Sequence, residues 1–145
     1  MIMNPTAIKH VVVDGHSLTL ESFVAIARYN ATVELAPSAL EAMQKSRALA
    51  EKIAAEGRVA YGITTGFGEF QKVAVPKEMS NQLSTNLILS HCTAAGEPYA
   101  DEIVRGMMLL RANALCGGVS GVRPLLVEML LEMLNKGVTP VVPQK

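Results

Sequence analysis

Apolar residues recur along most of the chain at the three- and four-residue spacing of amphipathic helices. The exception is the β-branched run Val11 to Val13, followed by the turn dipeptide Asp14-Gly15, which predicts a short N-terminal strand or hairpin. Hydroxyl caps, prolines suited to a first helical turn and glycine stops set the bounds of the helices. The predicted helices cover residues 20–29, 37–56, 77–94, 99–116 and 124–134.

The helix predicted over residues 99–116 is apolar on nearly every face, which indicates an element surrounded by others. The pattern as a whole predicts a mainly α chain. Residues 1–145 would form a helical bundle segment with a short N-terminal β-strand or hairpin and a glycine-rich loop. The tail, VTPVVPQK, is typical of a connector that enters a further segment.

Composition narrows the possible partners. Thirteen basic and 13 acidic residues give a formal net charge of zero, which argues against a nucleic-acid or anionic-membrane partner. Half of the 145 residues are apolar, a large share for a small monomer, so we expect a homo-oligomer or a part of something larger. The N-terminus lacks signal-peptide character and no apolar run approaches the roughly 18 residues that span a bilayer, so we expect a cytoplasmic location. Cys92 and Cys116 lack metal-ligand spacing, which predicts no metal.

Residues 61–68 read YGITTGFG and interrupt the helical pattern. Three glycines in eight residues predict a segment that bends or moves, and Tyr61 would ride on it. A phosphate-binding loop does not fit, because Gln71 stands where the third glycine of G-x-G-x-x-G belongs and no G-K-[ST] follows. Tyr61 is then either a buried aromatic that anchors the loop or a general acid or base, whose phenolate would need stabilising by its surroundings.

Polar residues interrupt two of the apolar helix faces. His91 takes the place of a leucine on a predicted stripe, as a hydrogen-bonded core histidine or as a functional group. Ser90 adds a hydroxyl, but neighbouring helical residues point about 100° apart, which argues against a Ser-His nucleophile pair. Arg111 and Asn113 lie within an apolar helix and indicate a structural hydrogen-bond network.

In order, these motifs resemble the N-terminal part of the aromatic amino-acid ammonia-lyases and related aminomutases. The resemblance runs from about Val12 to the end of the chain. It rests on the loop at 61–68, Asn81-Gln82-Leu83, Asn86-Leu87, Ser90-His91, Arg111-Ala112-Asn113-Ala114-Leu115 and Gly118-Val119-Ser120-Gly121-Val122-Arg123-Pro124.

The resemblance implies a catalytic role for the loop and an electrophilic group that would act together with it. In this family the tyrosine sits on a mobile lid and removes the β-proton of an amino-acid substrate, which would be the role of Tyr61. The other lid residues would be Gly62, Thr64, Thr65, Gly66, Phe67 and Gly68. The family's electrophile is a methylidene-imidazolone, formed from an Ala-Ser-Gly triplet that does not occur here.

The resemblance also implies assembly. In the family that triplet would lie just beyond Lys145, so we expect the chain to be a truncated N-terminal part of the catalytic domain, inactive alone. Family members assemble as homotetramers, and we expect this chain to expose surfaces meant for that assembly.

Two adjacent residues select the substrate side chain in this family, and here they are Ser90 and His91. A Ser-His pair is similar to that of histidine ammonia-lyases, which implies L-histidine as substrate and trans-urocanate as product. Tyrosine or phenylalanine ammonia-lyase or aminomutase activity is the alternative, since some tyrosine aminomutases also carry Ser-His. Thr64 departs from the asparagine common in histidine lyases, and SHCTAAGEP departs from their usual run. A free-standing helical interaction module without catalysis is a further hypothesis.

Overall fold

The structure is a computed structural model that describes residues 4–66, 68, 75 and 79–145, residue 80 by its backbone only. A 3₁₀ turn at Pro5–Ala7 precedes the regular elements. In chain order these are β1 His10–Val13, α1 Leu20–Tyr29, β2 Thr32–Leu35, α2 Pro37–Ala55, α3 Ser80–His91, α4 Asp101–Cys116 and α5 Pro124–Asn135. The mainly α fold with an N-terminal strand is thereby confirmed.

The N-terminal strand forms as predicted, but it does not make a hairpin. β1 pairs in parallel with β2, Val11 opposite Val33, and α1 makes the crossover between them. Asp14 shapes the turn that follows β1, because its Oδ1 accepts the backbone N–H groups of His16 and Ser17, each at 2.8 Å. The second strand, β2, was not predicted from the sequence.

Helix α4 is central, as its all-round apolar pattern predicts. It packs against α1, α2 and α5. Its core-facing side carries eight buried residues, among them Val104, Leu109 and Ala112. Burying such side chains is the main favourable term in folding, on the order of 1.5–3 kcal/mol for each large one. The opposite side of α4 keeps Ile103, Met107 and Leu110 about half exposed.

Local signals set most of the helix ends. Thr19 caps α1 by accepting the backbone N–H of Ser22 at 3.2 Å, and Asn30 ends that helix in the left-handed region at φ 55°. Proline opens α2 and α5 as predicted. The described bounds of helix α3 are Ser80–His91, so the helix ends three residues before the predicted end at 94. Pro76, expected in its first turn, lies outside the described residues.

The C-terminal tail lies antiparallel beside the segment between α3 and α4. Tyr99 N donates to Val142 O at 2.9 Å, Gln144 N to Glu97 O at 3.1 Å and Lys145 N to Ala95 O at 2.9 Å. The last residues of the tail are thus paired with the chain segment that follows α3. Among the helices that the structure describes, none is long and apolar enough to cross a bilayer.

Candidate active site

The glycine-rich loop begins as a turn after α2, and it presents its tyrosine outward. Tyr61 is 65% exposed, so the interpretation of a buried aromatic anchor is wrong. Gly62 and Gly68 have φ values of 72° and 58°, in the left-handed region that side chains avoid, which is the reason glycine is needed at these two positions. Phe67, also expected in the lid, lies outside the described residues.

Two threonine hydroxyls hold this turn together. Thr64 Oγ1 donates to the carbonyl of Arg58 at 2.5 Å and accepts the N–H of Ala60 at 2.9 Å. Thr65 is buried; its Oγ1 accepts the N–H of Gly62 at 3.3 Å and donates to the carbonyl of Gly66 at 3.0 Å. The backbone on both sides of Tyr61 is therefore tied by side chains, a role for the threonines that the sequence analysis did not assign.

Ser90 and His91 end helix α3, and both are exposed. The interpretation of His91 as a core histidine is therefore wrong. The two side chains also meet, with Ser90 Oγ 3.0 Å from His91 Nδ1, although adjacent helical positions point apart. Both reach back toward the preceding turn, where the carbonyl of Leu87 lies 2.9 Å from each of these atoms.

The polar residues of α4 divide by face. Asn113 Oδ1 accepts the N–H of Gly15 at 3.2 Å, which is the backbone-holding bond expected of it, whereas Arg111 is exposed. The structural arginine is Arg105, which the sequence analysis missed. The signal was present, because Arg105 precedes Leu109 by one turn on the buried face of the helix.

Arg105 is 5% exposed and ties two helix ends together. Its guanidinium donates to Ile26 O at 2.9 Å and Ala27 O at 3.3 Å near the end of α1, and to Leu134 O at 3.0 Å near the end of α5. The last carbonyls of a helix lack partners within it, and they carry partial negative charge. Burial lowers the pKa of Arg105 from its ordinary value, opposed by the charge of Asp101, yet a guanidinium stays protonated in proteins.

The two cysteines lie outside this group of residues. Burial, followed by the negative charge of Asp14, raises the pKa of the Cys116 thiol to about 11, so this cysteine stays protonated and unreactive at neutral pH. Cys92 is exposed. Within the described ranges, no three His, Cys, Asp or Glu side chains are placed to hold a metal ion. An apolar groove of about 430 Å³ runs between α1 and α4, lined in part by Phe23, Ile103 and Leu110.

Comparisons with known proteins agree with one another. A family model described as aromatic amino acid lyase matches residues 18–145. Histidine ammonia-lyases of Alkaliphilus metalliredigens and Caldanaerobacter subterraneus are 47% and 50% identical, each over 94% of this chain and 27% of its own length. The chain thus spans 27% of the length of these curated relatives.

Solved structures share the fold. The ergothioneine-degrading enzyme ergothionase of Treponema denticola superposes with a TM-score of 0.89 at 29% identity, over 94% of this chain and 27% of its own. Tyrosine aminomutase of Streptomyces globisporus superposes with a TM-score of 0.88 at 38% identity, over 93% of this chain and 26% of its own.

Proposed function

Because the chain belongs to the aromatic amino acid lyase family, we propose that it supplies the base and the side-chain selector of an enzyme that eliminates ammonia from L-histidine to give trans-urocanate. The exposed Ser90–His91 pair at the end of α3 carries the choice of substrate. Both curated relatives described above, at 47% and 50% identity, are histidine ammonia-lyases, which supports the same choice.

Tyr61 is the proposed base. Its phenol lies on an exposed turn rather than in a packed interior, so a substrate can reach it. Removal of the β-proton requires the phenol oxygen within hydrogen-bond reach of that proton, and the two threonines restrict where the turn can place it. Closure of the loop over the substrate would exclude water from the proton transfer.

The amine would leave with the help of a methylidene-imidazolone, whose chemistry is to take up the amino group and make it a better leaving group. No Ala-Ser-Gly triplet occurs in these 145 residues, so we expect them not to turn over substrate by themselves. Lys145 pairs with Ala95, which lies four residues beyond His91 in the sequence. A segment continuing from Lys145 would therefore start alongside the chain that follows α3.

The alternative is a tyrosine or phenylalanine ammonia-lyase or aminomutase. The 38% identity to a tyrosine aminomutase favours tyrosine within this alternative, since the imidazole of His91 can also meet a phenol. A cytoplasmic homotetramer without metal remains our prediction for the complete enzyme.

Two experiments test the proposal. Sequencing the gene past Lys145 should reveal Ala-Ser-Gly within about the next dozen codons, whereas a stop codon there would favour the interaction module. The complete protein should then be incubated separately with L-histidine, L-tyrosine and L-phenylalanine while ultraviolet absorption by the conjugated product is followed. Product from L-histidine alone supports the proposal; product from L-tyrosine and none from L-histidine would contradict it.

A further inference from the structure

Three polar atoms meet at the end of α3, and their arrangement limits where the protons lie. The carbonyl oxygen of Leu87 is 2.9 Å from Ser90 Oγ and 2.9 Å from His91 Nδ1, and these two atoms are 3.0 Å apart. A carbonyl oxygen only accepts, a hydroxyl has one proton to give, and a neutral imidazole has a proton on one nitrogen and a lone pair on the other.

Only one assignment of protons makes all three contacts favourable in the neutral ring. His91 Nδ1 must carry the proton, since otherwise its lone pair would face the lone pairs of the Leu87 carbonyl at 2.9 Å. The Ser90 hydroxyl then gives its proton to the same carbonyl and turns a lone pair toward Nδ1–H. In the other tautomer Ser90 would have to give its proton to Nδ1, and the Leu87 carbonyl would lose both donors.

We propose that the Leu87 carbonyl holds neutral His91 as its Nδ1–H tautomer, which leaves Nε2 as the hydrogen-bond acceptor that the ring offers to a substrate. This defines the chemical class of side chain that the selector accepts: a ring that brings its own donor, such as an imidazole N–H or a phenol O–H. A phenyl ring brings none and would leave Nε2 unpaired.

The consequence for specificity rests on the proposed function, whereas the tautomer does not. The tautomer can therefore be measured on the chain as it is, with the ring nitrogens of histidine labelled with ¹⁵N and long-range ¹H–¹⁵N spectra recorded where the imidazoles are neutral. His91 should show a protonated Nδ1 and an unprotonated Nε2, and the variant His91→Gln identifies its signals by their loss. A spectrum with the proton on Nε2 of His91 would overturn the proposal.

His10 provides an internal reference of the opposite kind. Its Nε2 faces the Glu34 carboxylate at 3.2 Å, and a carboxylate only accepts, so its neutral ring should carry the proton on Nε2. Its Nδ1 would then accept the Thr32 hydroxyl at 2.9 Å, which turns away from the Lys9 carbonyl at 3.2 Å. The two histidines should therefore give opposite patterns in the same spectrum. Ser90→Ala removes the hydroxyl that could give a proton to Nδ1, so His91 should keep its own proton on Nδ1 through the Leu87 carbonyl, and Ser90→Thr should show the same tautomer. A proton on Nε2 of His91 in Ser90→Ala would contradict the role of that carbonyl.

The complete enzyme supplies the functional readout. His91→Leu, which removes the acceptor Nε2, should raise KM for a donor-bearing substrate by about fivefold to tenfold, the weight of one ordinary hydrogen bond, with little change in kcat. A KM unchanged in His91→Leu would contradict the acceptor role of His91. If the spectrum is as expected but L-histidine is not a substrate, the proposed function fails while the tautomer assignment stands.

Discussion

Replacing Arg105 by methionine should destabilise the chain strongly, although no carboxylate forms an ion pair with this arginine among the described residues. Methionine keeps an unbranched apolar stem but removes all three donors. The carbonyls of Ile26, Ala27 and Leu134 would lose the guanidinium at a buried site. The free energy of unfolding should fall because α1 and α5 both lose the group that satisfies their last turns.

The size of the effect follows from the three bonds. A buried acceptor left without its donor costs about 1–3 kcal/mol. The bond to Ala27 at 3.3 Å is the weakest of the three, and the Leu134 carbonyl would keep the N–H of Gly137 at 3.3 Å. Burying an arginine has a desolvation cost that methionine does not carry, which offsets part of the loss. We therefore expect a net decrease in the free energy of unfolding of about 2–4 kcal/mol, a large part of the stability of a domain of this size.

Urea unfolding followed by far-ultraviolet circular dichroism measures this difference. The matched control is Arg28→Met, since Arg28 is exposed and bonds Glu102 on the surface at 2.8 Å, an ion pair worth about 1 kcal/mol or less. Arg105→Lys, whose single ammonium cannot span three carbonyls, should fall between wild type and Arg105→Met. Equal midpoints for Arg105→Met and Arg28→Met would refute the assignment of Arg105 as the link between the helix ends.

Three further predictions concern the loops. Thr64→Val should speed hydrogen exchange at the Ala60 amide severalfold, because it removes the acceptor of that N–H, and Thr64→Ser should not. Equal exchange rates in the two variants would show that the hydroxyl does not hold the turn. Gly15→Ala should lower the unfolding midpoint more than Gly57→Ala. Both glycines have positive φ, but a Cβ at Gly15 would lie 2.6 Å from the backbone nitrogen of Gly117, whereas Gly57 faces open space. Equal midpoints would exclude the steric clash. Backbone hydrogen bonds lower the pKa of Asp14 to about 2, so its contribution to stability is present above the unfolded pKa near 3.8 and is lost as pH falls toward 2. Asp14→Ala should therefore be less stable than wild type at pH 7. A difference in unfolding free energy that does not narrow in acid would contradict this.

Elements with strong local signals were predictable from the sequence. The apolar pattern of α4 and the prolines that open α2 and α5 gave their type and position to within a residue or two. Strand β2 was missed because four residues with alternating exposure give a weak signal, and their pairing is decided by distant partners. The side chain of Asn135 supplies one of these, accepting from Val33 N and donating to Val33 O, each at 2.8 Å.

The contacts of the candidate site residues were not predictable from the sequence. Tyr61, Ser90 and His91 were identified from motifs, yet two interpretations from local pattern were wrong. Tyr61 is exposed although an aromatic residue in a loop usually anchors it, and His91 is exposed although it continues an apolar stripe. The contact between Ser90 and His91 was missed because only the angle between adjacent helical positions was considered. Both side chains reach the same carbonyl one turn back, and this brings them together.

The role of the exposed phenol is tested most directly by comparing Tyr61→Phe with Tyr29→Phe in the complete enzyme. Both tyrosines are more than half exposed, but Tyr29 ends α1 and takes no part in the proposed chemistry. If Tyr61 removes the β-proton, Tyr61→Phe should lower kcat for release of the conjugated product by about 10²–10⁴-fold, while Tyr29→Phe should leave it unchanged. Full activity in Tyr61→Phe would contradict the account.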